Sequence, residues 1–162
     1  MRIVSDTGPI IGLAKIGRID LLRQFTEEIS IPPFVHKELF GKTGIETGLI
    51  EKALGDFLKV TPVSILEPST ERLLAELDEG ERQAVSLAYS FGKDVLLLMD
   101  DHAGRRAARE LKIAVTGLVG VVLMAKEKGL LDSVTSTIKD LRKAGYWISD
   151  EVMEAAGRLA GE

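Results

Sequence analysis

Short apolar runs alternate along the chain with segments of helical periodicity, and this alternation limits the possible folds more than any other feature. The predicted strands are residues 2–5, 28–31, 58–63, 94–99 and 113–115. Such alternation is typical of βαβ units, so it predicts an α/β fold with a mostly parallel sheet. Residues 94–99 are the most hydrophobic run, as expected of a strand that is buried on both faces. Pro62 lacks a backbone donor and marks residues 58–63 as an edge strand.

The helices are predicted between these strands. Pro33 suits the first position of one of them, and Ser149 is a favourable N-cap for the last. The predicted helices are residues 9–16, 20–25, 34–40, 45–54, 70–77, 81–91, 103–111, 118–128, 133–143 and 150–159.

Composition narrows the class of protein. With 162 residues, 45% hydrophobic and 28% charged, we expect one globular domain over residues 1–162. The absence of cysteine excludes disulfides, Cys-ligated zinc and thiol catalysis. No secretory signal pattern and no apolar run of membrane-spanning length are visible, so we expect no membrane association and a cytoplasmic setting. The net charge of −4 argues against a passive nucleic-acid coat, but not against an enzyme whose acids bind metal ions.

Acidic residues follow two of the predicted strands. Asp6 ends the first strand, and Asp100 and Asp101 end the most hydrophobic one. Ligands of open α/β sheets bind outside the carboxyl ends of the strands, where these acids are expected. The alternative for Asp6 is a helix N-cap, which its own stretch of sequence favours. The alternative for the pair is that Asp101 caps the following helix while Asp100 faces solvent.

Two further acids border buried faces of predicted helices. Glu38 lies three and four residues after Val35 and Phe34, so it adjoins the apolar side of its helix. Glu81 begins an inward stripe of small apolar residues. The alternatives are a salt bridge or solvated edge for Glu38, and a capping box with Asp78 for Glu81.

Together these acids form an oxygen-only donor set, which suits Mg²⁺ or Mn²⁺ and not zinc. Clustered carboxylates with one or two such ions could activate water and stabilise a phosphodiester displacement. Thr7 either donates a hydrogen bond within this site or belongs to an ordinary turn. The predicted catalytic residues and metal ligands are Asp6, Glu38, Glu81 and Asp101, and the predicted supporting residues are Asp100 and Thr7.

An ordered set of motifs across nearly the whole chain resembles the PIN domain family, in particular a prokaryotic branch of uncharacterised, toxin-like proteins. No single motif is specific, but their order and spacing together are. The motifs are residues 5–9 with Leu13 and Ala14, residues 31–39 around Glu38, residues 77–88 around Glu81, residues 97–107 around Asp101, residues 116–120, and Ala125-Lys126 with Gly129-Leu130.

This resemblance implies a three-layer α/β/α sandwich and metal-dependent ribonuclease activity, often as the toxin of a toxin–antitoxin pair. Asp6, Glu38 and Glu81 match the first three acids of the family. The fourth acid usually follows a strand in a Thr-x-Asp pattern, and here Met99 takes the place of the threonine, so that Asp101 matches the acid. The third acid is Glu where many relatives carry Asp, which lengthens its reach by one methylene group.

The implied partners are an RNA substrate and a small antitoxin protein, and we also expect a homodimer. The helices that carry Ile10, Leu13, Leu21 and Leu22 are equally suited to a dimer face and to the core.

Several residues near the acids have less specific interpretations. Arg105 and Arg109 are spaced to share one face of a helix, where a solvated surface is favoured over contact with phosphates. Tyr146 and Trp147 precede the last helix and are interpreted as packing anchors.

Two other classes of function are compatible with the acids. One is a regulatory module with a receiver-like acidic pocket, although a receiver domain carries its acid pair after the first strand and a single Asp after a later one, the reverse of this chain. The other is a catalytically silent module that keeps the acids and binds metal or nucleic acid without cleaving it.

Overall fold

A five-stranded parallel sheet forms the centre of the fold in a computed structural model, which describes residues 1–41, 44 and 46–162. The strand order is β3-β2-β1-β4-β5, so the first strand of the chain is the central one. All four neighbouring pairs are parallel, which confirms the predicted sheet. The strands are β1 (Arg2–Ser5), β2 (Ile29–Ile31), β3 (Leu58–Val60), β4 (Val95–Leu98) and β5 (Ala114–Thr116).

Backbone hydrogen bonds continue past the carboxyl ends of the strands and align them. Ser5 at the end of β1 pairs with Leu98 at the end of β4. One residue further, the Asp6 N–H donates to the Leu98 carbonyl over 2.9 Å, and the Met99 N–H donates to the Thr116 carbonyl over 2.9 Å. The residues that follow β1, β4 and β5 therefore lie at one edge of the sheet.

The helices connect these strands and cover the sheet. No helix in the described part of the chain is both long and apolar enough to cross a lipid bilayer. The helices are α1 (Thr7–Lys15), a 3₁₀ helix (Ile19–Gln24), α2 (Pro33–Phe40), α3 (Glu46–Leu54), α4 (Pro68–Leu74), α5 (Glu79–Ser90), α6 (His102–Glu110), α7 (Leu118–Glu127), α8 (Val134–Lys143) and α9 (Asp150–Leu159).

The structure corrects several predicted boundaries. The segment predicted as a helix at residues 20–25 is a 3₁₀ helix. The edge strand β3 ends at Val60, two residues before Pro62. Helix α4 begins at Pro68, because proline is well suited to the first turn, and α5 begins directly after Asp78. Ile45, predicted to start a helix, lies outside the described residues.

Two hydrophobic cores lie on opposite faces of the sheet, because successive strand residues point to opposite sides. Ile3 and Leu98 belong to the core beneath α1, α7 and α8. Val4 and Leu97 belong to the other core, beneath α5 and α6. Two helical layers therefore enclose the sheet, which confirms the three-layer α/β/α sandwich.

The first helices contribute their apolar faces to the interior. Ile10, Leu13, Leu21 and Leu22 are all buried in the first core. Their interpretation as a dimer face is therefore wrong. The homodimer itself stays a prediction.

The strand order also separates the fold from a receiver domain. Flavodoxin-like receivers have the order 2-1-3-4-5, in which the chain's second strand is at the edge of the sheet. Here β3 and β5 are the edges and β2 lies inside. The topology therefore argues against the receiver-like alternative.

The interior position of β4 gives a stability prediction. Leu97 is completely buried, and we expect Leu97→Ala to lower the free energy of unfolding by about 2–5 kcal/mol, since it leaves a cavity. Ile65 is 94% exposed, so Ile65→Ala should change the free energy of unfolding by less than about 0.5 kcal/mol. Urea unfolding measures both. A similar effect of the two substitutions would contradict the assignment of Leu97 to the core.

Candidate active site

The structure brings five carboxylates to the carboxyl edge of the sheet. Asp6 follows β1, and Asp100 and Asp101 follow the neighbouring strand β4. Glu38 comes from α2 and Glu81 from α5, two helices that pack against each other. Asp6 is repelled by Glu38, Asp100 and Asp101, and Glu81 is repelled by Asp101 and Asp6. The five predicted acids thus lie close enough to repel one another, and they form an acid group that consists of Asp6, Glu38, Glu81, Asp100 and Asp101.

Asp6 stands at the N-cap position of α1, but its side chain makes no N-cap hydrogen bond, and the backbone donor that interacts with its carboxylate is the N–H of Thr7, the first residue of the helix. The N-cap alternative therefore does not account for this residue. Burial raises the pKa of Asp6 from its ordinary 3.8 to about 6; the backbone N–H of Thr7 opposes this rise, and the nearby carboxylates add to it. Asp6 is thus a carboxyl whose charge is poorly compensated by the protein itself.

Glu38 is held at the junction of three helices. The Thr7 hydroxyl donates to Glu38 Oε1 over 3.2 Å, which ties α1 to α2. The Phe34 N–H donates to Gln83 Oε1 over 3.0 Å and ties α2 to α5. A Cβ atom on Gly80 would lie only 2.2 Å from Glu38 Oε1, so glycine at this position leaves the room that the carboxylate occupies.

Glu81 combines a capping role with a place in the acid group. The Asp78 N–H donates to Glu81 Oε2 over 3.3 Å, which is the return half of a capping box. Burial raises the pKa of Glu81 from 4.5 to about 7, with the Asp101 carboxylate as the next largest cause. The cap therefore holds Glu81 beside Asp101, and the two interpretations of this residue are compatible.

The carboxylates of Asp100 and Asp101 accept hydrogen bonds from different parts of the fold. Asp101 Oδ2 accepts a hydrogen bond from the Gly104 N–H over 2.8 Å and caps α6, as one alternative anticipated. Asp100 Oδ1 accepts from the Leu118 N–H over 2.7 Å, and Oδ2 accepts from the Tyr146 hydroxyl. The other half of that alternative, in which Asp100 faces solvent, is therefore wrong. Both oxygens of Asp100 accept hydrogen bonds from the protein, so Asp101 is the acid of the pair that is better placed to bind a cation.

Met99 explains how the fold accommodates the missing threonine. Its side chain is completely buried in the second core. A Cβ atom on Gly104 would lie 2.1 Å from Met99 Sδ, so the thioether packs directly against the start of α6. Met99 supports the position of Asp101 by packing, where a threonine would offer a hydroxyl.

Tyr146 is a member of the site that the sequence did not identify. Its ring packs against the first core, in line with the predicted anchor, but its hydroxyl reaches Asp100. Burial and the adjacent carboxylate raise the pKa of Tyr146, so it stays a proton donor. Forty-six positions separate the two residues, and no local pattern signals that they meet. Trp147 is 85% exposed, so its interpretation as a packing anchor is wrong.

Arg105 is a second residue with an unexpected position. Its side chain is partly buried, and a Cβ atom on Gly117 would lie 3.1 Å from its Nη1 atom and 2.6 Å from Asp100 Oδ1. Gly117 thus allows the guanidinium and the carboxylate to approach the start of α7. The prediction of a solvated face is confirmed for the exposed Arg109 and wrong for Arg105.

The donor chemistry of this edge fits a hard divalent cation. All the candidate ligands are carboxylates. Burial first, and the neighbouring carboxylates second, raise the pKa values of Asp6 and Glu81, and a bound cation would stabilise their charged forms. Among residues 1–41, 44 and 46–162, no three acidic or histidine side chains converge tightly enough to form a ready-made cage.

Comparison with known proteins gives one family. A family model described as a PIN domain matches residues 2–162, which is nearly the whole chain. No curated protein matches the sequence.

The raised pKa values predict how stability depends on pH when no cation is bound. Native Asp6 and Glu81 hold protons more tightly than the unfolded chain, so they make the free energy of unfolding fall as pH rises from about 4 to about 7. At about pH 8 in EDTA, Asp6→Asn should be more stable than the wild type by about 1–3 kcal/mol. At about pH 4 the difference should largely vanish, since the native carboxyl is then protonated.

Urea unfolding across this pH range measures the effect. Asp94→Asn is the matched control, because Asp94 precedes β4 at the opposite edge of the sheet and its side chain is 85% exposed. An Asp6→Asn protein less stable than the wild type at about pH 8 would contradict the unfavourable burial of the charged Asp6 carboxylate among other acids.

Proposed function

Because the chain belongs to the PIN domain family, whose members are generally nucleases, we propose that it is a metal-dependent endoribonuclease that hydrolyses RNA phosphodiester bonds. One observation carries the proposal: Asp6, Glu38, Glu81 and Asp101 come from four separate segments and interact at one edge of the sheet. A structural role for each acid alone would not require them to be gathered where their charges repel.

These four acids would hold Mg²⁺ or Mn²⁺. When bound, such an ion supplies positive charge that offsets the carboxylates and stabilises the charge that develops on the phosphate. Asp100 would assist by fixing the start of α7 through the Leu118 N–H. Thr7 would assist by orienting Glu38 through its hydroxyl.

The protein's own part in the reaction is to hold the ion and to orient the attacking water through these carboxylates. The pKa of Glu81 is about 7 without a cation, and a bound ion would favour its charged form, so Glu81 would serve as a ligand. The expected products carry a 5′-phosphate and a 3′-hydroxyl.

The biological role proposed for this activity is that of a toxin restrained by a small antitoxin protein. We also propose a cytoplasmic setting and a homodimer. The resemblance of the motifs to toxin-like PIN proteins supports the first proposal. A small open reading frame directly upstream of the gene is the expected genomic arrangement, and co-purification of its product with this chain would test the pairing.

Cleavage of RNA tests the enzymatic proposal directly. With Mn²⁺ present, we expect the wild type to cleave single-stranded RNA, and Asp6→Asn to reduce the rate by about 10²–10⁴-fold, since it removes a carboxylate from the reacting centre. Asp94→Asn should retain the wild-type rate. Gel analysis of end-labelled RNA measures all three proteins. Equal cleavage by the wild type and Asp6→Asn would mean that the activity does not arise at this site.

Metal binding can be measured separately from cleavage. At about 100 times its dissociation constant, Mn²⁺ should stabilise the wild type by about 2.7 kcal/mol, and EDTA should reverse the effect. Glu38→Gln should shrink this stabilisation, while Asp94→Asn should leave it intact. Thermal unfolding with and without the ion is the measurement. Stabilisation with no cleavage of any RNA would favour the catalytically silent module instead.

A further inference from the structure

A cleft of about 330 Å³ adjoins the acid group and shares Asp100 and Tyr146 with it. It lies between the start of α7, the helix α6 and the segment that leads into α9. This size is within the range of ordinary ligand pockets. The nuclease proposal gives the cleft no role, although it opens directly beside the carboxylates. Its remaining lining includes Arg105, Arg109, Thr116, Gly117, Trp147 and Val152.

The cleft presents an unpartnered aromatic face. Trp147 is the only tryptophan of the chain, and 85% of it is exposed. Its neighbour Tyr146 points inward to Asp100, which fixes the backbone from which the indole projects. Val152 from α9 lies in the same cleft and is 44% exposed. A large aromatic side chain held beside an active site, with its surface open to solvent, is a suitable platform for a flat ligand.

Two arginines give the same cleft positive charge. Arg105 and Arg109 are one turn apart on α6 and both line it. Neither forms an ion pair with another described residue, and the buried Nε of Arg105 has no hydrogen-bond partner in that part of the chain. Arg105 lies near the Asp100 carboxylate, whereas Arg109 has no described acid within ion-pair distance, so the cleft offers an anionic ligand a cation that the protein does not pair.

We propose that this cleft is a nucleotide subsite for single-stranded RNA, in which an unpaired base stacks on Trp147 and the adjoining phosphate meets Arg105 and Arg109. The inference rests on the proposed ribonuclease function, because the subsite would hold the RNA next to the bond that is cleaved. Stacking requires a base that is free of its own duplex, so the subsite favours single strands. Base stacking tolerates any sequence, whereas the arginines read only the backbone.

An apolar protein partner fits the cleft less well than RNA. Covering Trp147 with an apolar surface would also bury the two unpaired guanidinium groups, and desolvating unpaired charges is costly. A nucleotide satisfies both features at once, because its base is a flat apolar surface and its phosphate is an anion.

The single tryptophan makes the subsite directly observable. In EDTA, which prevents cleavage, titration with a short single-stranded oligoadenylate should quench the emission of Trp147 in a saturable manner. The proposal predicts that Trp147→Ala weakens binding of fluorescently labelled oligoadenylate by about 10- to 100-fold, in line with the loss of one stacked base. Trp147→Phe should recover part of the affinity. Ile65→Ala, at an exposed apolar side chain outside the cleft, is the control.

The charge contribution is tested with a matched pair of arginines on α6. Arg109→Gln should weaken binding and lower the slope of log affinity against log salt by about 0.7, as expected for one lost contact to a single-stranded phosphate. Arg106 is exposed on the same helix but does not line the cleft. Arg106→Gln should therefore leave the affinity and the slope close to the wild-type values.

The outcomes separate this inference from the proposed function. Unchanged Trp147 emission together with Mn²⁺-dependent cleavage would overturn the subsite and leave the nuclease intact. Quenching that needs Trp147 and Arg109, without cleavage under any condition, would support the subsite and reject the nuclease. A shift of the emission with protein concentration alone, accompanied by dimer formation in sedimentation, would show that a second copy covers the cleft and would overturn the inference.

Discussion

The hydrogen bond from the Asp6 N–H to the Leu98 carbonyl is the contact on which the candidate site depends. It continues the hydrogen-bond ladder between β1 and β4 one residue past the strands, so that the segments that follow β1 and β4 leave the sheet side by side. Asp6 and the pair Asp100 and Asp101 then begin their turns at the same edge. A shift of one residue in this register would turn the strand side chains to the opposite faces and disturb both cores as well as the site. The packing of the interior therefore also maintains the position of the acids.

Helix N-termini allow the protein to tolerate this concentration of negative charge. Asp6 precedes α1, Glu81 lies in the first turn of α5, and Asp101 precedes α6. The N-terminus of a helix carries partial positive charge and free N–H groups, both of which favour a carboxylate. The Asp100 carboxylate also interacts with a helix N-terminus, that of α7, although Asp100 is distant from α7 in the sequence. Gly117, the residue before α7, has no side chain to cap it, and the Asp100 carboxylate provides the hydrogen bond instead.

Local sequence patterns were sufficient to predict the parallel sheet and the position of the acids that follow its strands. Apolar runs with proline and glycine boundaries predicted the parallel strands, and the position of Asp6 or Asp101 after a strand placed it at the carboxyl edge of the sheet. The same patterns could not predict contacts between distant segments. The bond between Tyr146 and Asp100, the partly buried position of Arg105, and the exposure of Trp147 depend on how α6, α7 and the segment before α9 pack together. The helical period at Arg105 and Arg109 identified their common face but not what that face contacts.

These long-range contacts connect the acid group to the cleft. Asp100 has one oxygen on the start of α7 and the other on Tyr146, and both segments line the cleft. With both oxygens engaged by protein donors, Asp100 is less available to a cation than Asp101, even though the two are adjacent in sequence. Its carboxylate instead fixes the wall between the acids and the arginines. The pair of aspartates thus divides two tasks: Asp101 faces Asp6 and Glu81 in the proposed reaction centre, and Asp100 holds in place the surface that would receive the substrate.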